Sequence, residues 1–317
     1  MIWFTAQKLL GLIATLLVAA AIIFVALDLL PGDPARFILG INATPDSVAA
    51  LQQQLGLDRP PLERFVGWIG GMFSGNFGVS YSQGVPVGEL IAGRLAVTLP
   101  LTILAMILST IVGLPLGILA ARKRGSVADT GLMLLAQLGV AVPNFWFGML
   151  LVLLFAVTLH WLPPGGFVPW YENPLGSIAS LILPSLALAL PQAAILARVM
   201  RTALVDVQGS DYIRAARAKG LTMSEAVWRH GVRNALLPVL TILGLQFAYL
   251  VAGTVIVENV FYLPGLGRLI FDAINARDLI LVRSSIIILV LAVIATMFIT
   301  DLCYAWADPR LRDRRGE

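Results

Sequence analysis

Charged residues are scarce in this chain of 317 residues: they make up 13% of it, while hydrophobic residues make up 58%. An average soluble domain is about 25% charged. Together with a mean hydropathy of +0.87, this composition excludes an ordinary water-soluble protein and indicates that much of the chain lies in lipid. The useful count is therefore of membrane spans rather than of globular domains.

Residues that commonly carry chemistry are also few. The single cysteine, Cys303, excludes an internal disulfide or a cluster of thiolate ligands. The two histidines, His160 and His230, are predicted on opposite sides of the membrane, where they cannot share a zinc ion. None of the three lysines stands in a Gly-Lys-Ser/Thr motif, so the chain has no P-loop for a nucleotide. We expect no catalytic, metal-binding or cofactor-binding residue, and nothing indicates a nucleic acid partner.

The gaps between charges define the spans. Six uncharged windows are each near the roughly 20 apolar residues that cross a bilayer core: residues 9–27, 95–121, 130 to about 160, 173–197, 234–257 and 284–300. The third window is expected to hold one helix and a turn, cut near His160 by a Pro-Pro-Gly-Gly cluster. The alternative for the first window is a cleaved signal peptide. Its apolar run continues to Leu30, which is longer than a typical signal sequence and favours a retained helix.

Lys and Arg are distributed unequally between the two sides of these spans. One side holds 15 of the 22 basic residues, including those next to both termini. Because cytoplasmic loops are enriched in Lys and Arg, both termini are predicted to be cytoplasmic. The centres of the windows hold no ionisable residue, and Asp28, Glu258 and Asp301 stand only at the edges. This pattern disfavours a proton-coupled carrier, so active transport would need an outside energy source.

A polar segment between the fourth and fifth spans, residues 209–238, predicts two short helices joined by a corner. Ser210 is expected to cap the first helix, with Asp211 in its first turn, and Gly220 to end it in the left-handed conformation. Thr222 and Glu225 have the spacing of a capping box for a second helix that leads into the fifth span. We therefore expect a helix-corner-helix at the membrane surface.

The first of these short helices has features of a docking element. Its alanines let it lie close to another surface, and Tyr212, Ala216 and Lys219 share a face by their i, i+4, i+7 spacing. One binding site for that face is a groove on a partner protein. The other is the anionic surface of the membrane, to which Arg214 and Arg217 would bind. The residues by themselves leave both open.

Several motifs in this chain resemble, in the same order, the permease subunits of ABC importers of the dipeptide/oligopeptide/nickel family. The string DYIRAARAKGL followed by HGVRNALLP is similar to the ATPase-coupling loop of that family, often called the EAA loop. Further similar strings are LPGDP (30–34), LGLD (55–58), GNFGVS (75–80), AARKRGS (120–126), VPNFWFG (142–148), FYLPGLGRL (261–269) and DPRLR (308–312). The resemblance covers nearly the whole chain.

The resemblance implies an all-α membrane protein of the type I ABC importer (MetI-like) fold, with six transmembrane helices and an extracellular insertion after the first. It implies a heteromeric complex with a homologous second permease, two cytoplasmic ATPase subunits that bind ATP and Mg, and an extracytoplasmic solute-binding protein, all at the bacterial inner membrane. The corresponding domains are an N-terminal helix (1–30), the insertion (31–95), a five-helix core (96–305) and a cytoplasmic tail (306–317). Within the insertion, Leu51, Leu55, Leu57, Leu62, Phe65 and Trp68 are expected to form a small core.

The same resemblance implies two sets of functional residues. The ATPase-coupling set is Asp211, Tyr212, Arg214, Ala215, Ala216, Arg217, Lys219, Gly220, His230, Arg233 and Asn234. Arg214 stands where the general importer pattern has glutamate, and Ala215 where this subfamily usually has threonine. A second set at the outer end of span five, for gating or for docking the binding protein, is Glu258, Asn259, Pro264, Gly265, Gly267 and Arg268.

The expected function is that of a permease subunit that forms half of a pathway for short peptides and couples it to partner ATPases. The alternatives within this class are nickel chelates, glutathione or another small solute, because one fold serves many substrates. A self-sufficient channel or secondary carrier is a less favoured alternative, since it would not need a coupling loop. A membrane anchor that only recruits partners is the third, and its deletion would leave transport intact.

Overall fold

A computed structural model of the chain describes residues 2–29 and 32–307. Apart from one isolated bridge between Val79 and Pro86, the secondary structure of these residues is helical. In chain order the α-helices are α1 (Ile2–Asp28), α2 (Pro34–Leu39), α3 (Pro45–Gln54), α4 (Pro61–Phe73), α5 (Val87–Arg122), α6 (Val127–Ala141), α7 (Asn144–Leu151), α8 (Pro174–Gln208), α9 (Asp211–Ala218), α10 (Met223–Ala226), α11 (Val232–Val260), α12 (Leu266–Asn275) and α13 (Leu279–Ala307). Short π-helical turns follow α7 (Val152–Thr158) and α10 (Val227–Gly231). Leu30, Pro31 and the DPRLR string lie outside the described residues.

The helices account for the six predicted spans. Among the described residues, five helices are long and apolar enough to cross a membrane, and a bent pair brings the number to six. The pair consists of residues 127–141 and 144–158 and is bent by 101°, where we had expected one helix. Pro143 explains the break, because a proline lacks the N–H of a helix interior and keeps the residue before it, here Val142, in an extended conformation.

The residues cluster by contacts into two units, 99–263 with the end of α13 from Thr296, and 2–98 with 264–295. We call the first the core unit and the second the N-terminal unit. This division follows contacts, whereas the predicted domains follow the membrane topology. The two therefore describe different properties of the chain.

The core unit is built around α8. In the apolar 18-residue stretch that marks α8 as a span, 67% of the residues are buried within the structure. This is the highest share among the spanning helices of the described residues. Small residues let neighbours approach it closely: a Cβ on Gly113 of α5 would come within 2.7 Å of the Ala193 carbonyl oxygen. On the α11 side, Gln246 Nε2 donates to the Gln192 carbonyl at 2.7 Å. These contacts join α8 to α5 and to α11, the helix that follows the predicted coupling segment.

The N-terminal unit contains the insertion and differs in part from expectation. Phe65 and Trp68 of α4 are in its hydrophobic interior, but they pack on Phe24 of α1 and on Ile287 of α13. The prediction that Leu62 belongs to a core is wrong, since 72% of it is exposed. Six residues separate it from Trp68, which places the two side chains about 120° apart around α4. Within its described residues, the insertion therefore does not form a separate core of its own. Its aromatic residues pack against the spanning helices α1 and α13 instead.

Candidate functional site

The coupling segment folds as the helix-corner-helix that the sequence predicts. Gly220 has a φ of +95°, which only glycine adopts readily. Thr222 and Glu225 form the capping box: Thr222 Oγ1 accepts from the Glu225 N–H at 3.3 Å, and Glu225 Oε2 accepts from the Thr222 N–H at 2.8 Å. Ser210 occupies the N-cap position of α9, but its hydroxyl donates to the Val207 carbonyl at 2.6 Å instead of capping α9. That part of the expectation is wrong, because the end of α8 offers a carbonyl acceptor.

A small apolar cluster holds α9 to the rest of the chain. Ile213 and Ala216 of α9 pack with Ala226, and Val207 and Leu221 contact the same cluster. The π-helical turn after α10 also lies against α8, since a Cβ on Gly231 would meet Val207 Cγ1 at 3.0 Å. The corner is thus fixed to both α8 and the start of the fifth span. α9 is therefore linked to the membrane helices both through Val207 of α8 and through the turn that precedes α11.

The other side of α9 is exposed in the described part of the chain. Tyr212 is 41% exposed, and Ala215, Arg217, Ala218 and Lys219 are exposed with it. Ala216 is only 8% exposed and points inward. The predicted face of Tyr212, Ala216 and Lys219 is therefore divided, with Ala216 serving the internal cluster and the other two open to a partner.

Trp228 extends this open surface beyond the corner. It follows α10 and is 51% exposed, and Met223 at the start of α10 is exposed as well. Large exposed aromatic residues are typical anchors of protein interfaces. Sequence reasoning did not single out Trp228, although a tryptophan next to a capping box on a polar connector is a signal that was available.

Arg214, which stands where the general importer pattern has glutamate, has partners inside the same segment, residues 209–238, which we also call the connector. Its Nη2 lies 2.9 Å from Asp211 Oδ1 and also donates to the Gly209 carbonyl at 3.2 Å. Both side chains of the ion pair are highly exposed. The arginine thus ties the first turn of α9 to the end of α8.

The second half of the coupling set begins the fifth span. His230, Arg233 and Asn234 are all exposed, and the Asn234 Nδ2 donates to the His230 carbonyl at 3.0 Å. They stand in and just after the π-helical turn, two to six residues beyond Trp228. The structure therefore leaves most of the predicted coupling residues accessible, with Ala216 as the buried exception.

An ion pair that joins the start of α6 to the second half of α8 was not predicted from the sequence. Arg201 Nε and Nη2 each lie 2.6 Å from an oxygen of Asp129, which also accepts from the Gly125 N–H at 3.0 Å. Gln208 Nε2 donates to the Ala121 carbonyl at 3.3 Å. The AARKRGS string thus serves to fasten three spanning helices together beside the connector.

The loop after the fifth span is packed inside the core unit. Phe261 and Leu263 are buried, and the Leu263 N–H donates to the Glu258 carbonyl at 2.9 Å. A Cβ on Gly148 would meet the Phe261 ring at 2.9 Å, and one on Gly165 would lie 2.5 Å from the Phe261 carbonyl oxygen. Gly148 of the VPNFWFG string and Gly165 of the Pro-Pro-Gly-Gly cluster therefore both lie against Phe261 of the FYLPGLGRL string.

The members of the predicted gating or docking set differ in exposure. In the core unit Glu258 is buried, while Asn259 donates from Nδ2 to the Val255 carbonyl at 2.7 Å. In the N-terminal unit Gly265 and Gly267 are buried, and Pro264 and Arg268 are half-buried. Gly265 precedes α12, whose Leu266 N–H donates to Thr98 Oγ1 at 2.7 Å. The two glycines thus shape the turn rather than offer side chains to a partner.

Comparison with known proteins agrees with this arrangement. Residues 113–313 match the family described as "Binding-protein-dependent transport system inner membrane component", and residues 1–102 match the N-terminal region of the same transport components. A protein of Brucella abortus named as a peptide transport system permease is 44% identical over 300 residues, which cover 95% of this chain and 96% of that protein. The glutathione transport system permease protein GsiC of Salmonella typhimurium is 42% identical over 98% of this chain and 99% of its own length.

A solved structure gives the fold. The membrane protein in an inward-facing structure of the MetNI methionine ABC transporter superposes with a TM-score of 0.58 at 18% identity, covering 69% of this chain and 97% of that one. The helical fold, the spans and the family match define the class as a permease subunit of an ABC importer of type I. The chain belongs to the binding-protein-dependent transport family of bacterial inner membrane components.

Proposed function

We propose that the open surface of α9 and α10 is the site at which ATPase subunits move this permease. The observation that supports it is the division of α9: one side is anchored through Ile213 and Ala216, and the other is exposed around Tyr212 and Ala215. A helix held in this way moves as a rigid body when a partner groove moves. The displacement passes to α8 and α11 and opens the pathway.

The proposed complex contains this chain, a homologous second permease, two cytoplasmic ATPase subunits and an extracytoplasmic solute-binding protein. ATP and Mg bind to the ATPase subunits, and this chain performs no chemistry of its own. Both termini lie in the cytoplasm, as the distribution of Lys and Arg favours. A fluorescent protein fused to the carboxyl terminus tests the orientation, because it folds and fluoresces when it remains in the cytoplasm and stays dark when it is exported.

Short peptides are the substrate class that we propose. Relatives at 44% and 42% identity are named for peptide and for glutathione transport, and glutathione is itself a tripeptide. Purification of the importer with its binding protein, followed by mass spectrometry of the bound solute, tests this. A bound peptide of a few residues is expected. A nickel chelate without any peptide would contradict the proposal while leaving the importer class intact.

Residues after the fifth span are proposed to gate the pathway or to dock the binding protein. Glu258, Gly265 and Gly267 are buried and act by holding the backbone, whereas Asn259, Pro264 and Arg268 are the partly exposed members. A photocrosslinker at position 268 is expected to capture the binding protein or the second permease. Capture of lipid alone would contradict the docking role.

Coupling is tested by placing a charge on the open side of α9. Ala215→Glu should leave the permease in the membrane and abolish most of the ATP hydrolysis that loaded binding protein stimulates, because the carboxylate clashes with a docked groove. Ala50→Glu is the matched control, since Ala50 is an exposed alanine on a short helix of the insertion. Full stimulation in the Ala215→Glu importer would overturn the proposed coupling surface.

A further inference from the structure

The N-terminal unit contains a cavity of about 300 Å³ between α1, α4 and the start of α13. Arg64 and Arg283 line it, together with Asp28, Tyr81 and Glu63. Cavities for small ligands start at roughly this size, 300–1,000 Å³. Nothing in the proposed coupling or gating role uses this cavity.

Of the three arginines that line the cavity, Arg64 and Arg283 differ in how far they are neutralised, and Arg59 is the third. Arg64 Nη2 lies 2.8 Å from Asp28 Oδ1. Within the described parts of the chain no ion pair reaches Arg283, whose guanidinium lies 5.1 Å from the centre of the Trp68 ring and 5.9 Å from that of Phe24. The Nε atoms of both arginines are buried and have no hydrogen-bond partner among the described residues.

A buried cation without a carboxylate is costly unless an anion joins it. Guanidinium groups bind phosphate through paired N–H donors, which suits an oxyanion bound between Arg64 and Arg283. Tyr81 supports the same ligand: burial raises the pKa of its hydroxyl, so it keeps a proton to donate. The nearby carboxylate of Asp278 does not compete, because it accepts from Ser80 and Ser82 at 2.6 and 2.9 Å.

A second, apolar groove of about 270 Å³ is lined by the same three helices at a different level from the cavity. It is lined by Leu17 and Ala20 of α1, by Met72 of α4 and by Leu291 of α13, among others. On α1, eight residues separate Asp28 in the cavity from Ala20 in the groove, which is about 12 Å along a helix. A polar cavity with arginines and an apolar groove on the same helices match the two parts of an amphiphile with an anionic head.

The outward side of α4 shows what surrounds the groove. Leu62, Val66 and Phe73 of this helix are exposed, and apolar residues on the open side of an amphipathic helix indicate contact with lipid. A soluble anion would need only the cavity and would leave the groove without a purpose. We propose that the N-terminal unit binds one anionic phospholipid, with its phosphate against Arg64 and Arg283 and an acyl chain in the groove.

The test measures phosphatidylglycerol that stays bound to the purified importer complex, by native mass spectrometry after washing with mild detergent. Wild type should retain it, and Arg283→Gln should retain about tenfold less, as the loss of a charged hydrogen bond implies. Arg36→Gln is the matched control, because Arg36 lies in the same unit and is exposed; it should behave as wild type. Equal retention by wild type and Arg283→Gln would overturn the proposal.

Two further measurements separate the lipid from a soluble anion and from a folding defect. Leu17→Trp, which fills the groove and leaves the arginines intact, should also lower retention. Wild type in phosphatidylcholine nanodiscs should gain thermal stability when phosphatidylglycerol is included, because a ligand of the folded state stabilises it. Equal stabilisation by glycerol phosphate alone, or none by phosphatidylglycerol, would overturn the lipid site even if Arg283→Gln does not assemble.

Discussion

The connector around α9 and the loop around Phe261 lie at the two ends of the fifth span and are built in opposite ways. Of the eight residues of α9, Ile213 and Ala216 are buried, and the remainder faces outward. In the loop, Phe261 and Leu263 are buried against glycine backbone. The difference is that the connector leaves most of α9 exposed, as the proposed coupling surface requires, whereas the loop packs inside the core unit.

The largest effect that we expect in this comparison distinguishes two adjacent alanines of α9. Ala216→Glu places a charge in the cluster of Ile213 and Ala226 and should destabilise the assembled importer by roughly 3 kcal/mol. Ala215→Glu, on the exposed side, should melt at the wild-type temperature. Thermal unfolding of both purified complexes measures this, and equal melting temperatures would show that α9 does not bury Ala216.

The loop should be sensitive to a single methyl group. Gly165→Ala places a Cβ 2.5 Å from the Phe261 carbonyl oxygen, which forces the backbone apart and should cost about 1–3 kcal/mol. Gly131→Ala is the control, since a Cβ there meets no atom of the described chain within 4 Å. Thermal unfolding of the two variants tests this prediction. Equal melting temperatures would show that the loop tolerates the added methyl group.

Gly220 tests whether the corner depends on its backbone conformation. A Cβ at Gly220 has space, but its φ of +95° is unfavourable for an L-residue, so Gly220→Ala should cost about 1–2 kcal/mol. Gly209→Ala introduces the same methyl group at a φ of −81° and should be tolerated. Hydrogen exchange of the α9 amides should rise in the first variant only; unchanged exchange would mean that the cluster alone fixes the corner.

The smallest effect is expected at Arg214. Its pair with Asp211 is highly exposed, and such pairs contribute little to stability. Arg214→Gln should therefore leave the melting temperature and the stimulated ATP hydrolysis close to wild type. A large loss of stimulation with normal stability would instead assign Arg214 a direct contact with the ATPase.

Much of the architecture follows from local patterns in the sequence. Uncharged windows predict the spans because lipid admits few charges, and Gly220 and the Thr222–Glu225 box predict the corner because their hydrogen bonds span only a few residues. The bend at Pro143 was also readable from the proline itself, although we expected a single helix. These features depend on residues close together in the chain.

Features that depend on distant residues were not predictable in the same way. Helical spacing places Ala216 and Tyr212 near one face, but which side of α9 packs inward depends on Ala226 beyond the corner. The Arg201–Asp129 pair joins residues 72 positions apart, and the cavity beside Arg283 needs α1, α4 and α13 together. A single sequence carries no signal for such pairings.

From Met223 to Val260 the helix continues for 38 residues, through the π-helical turn and past Pro238. At 1.5 Å per residue its length is about 57 Å, more than the thickness of a bilayer. A rod of that length behaves as a lever: a tilt of about 10° around its middle displaces each end by roughly 5 Å, in opposite directions. A movement of the end that carries the proposed coupling surface would therefore move the opposite end of the same helix the other way.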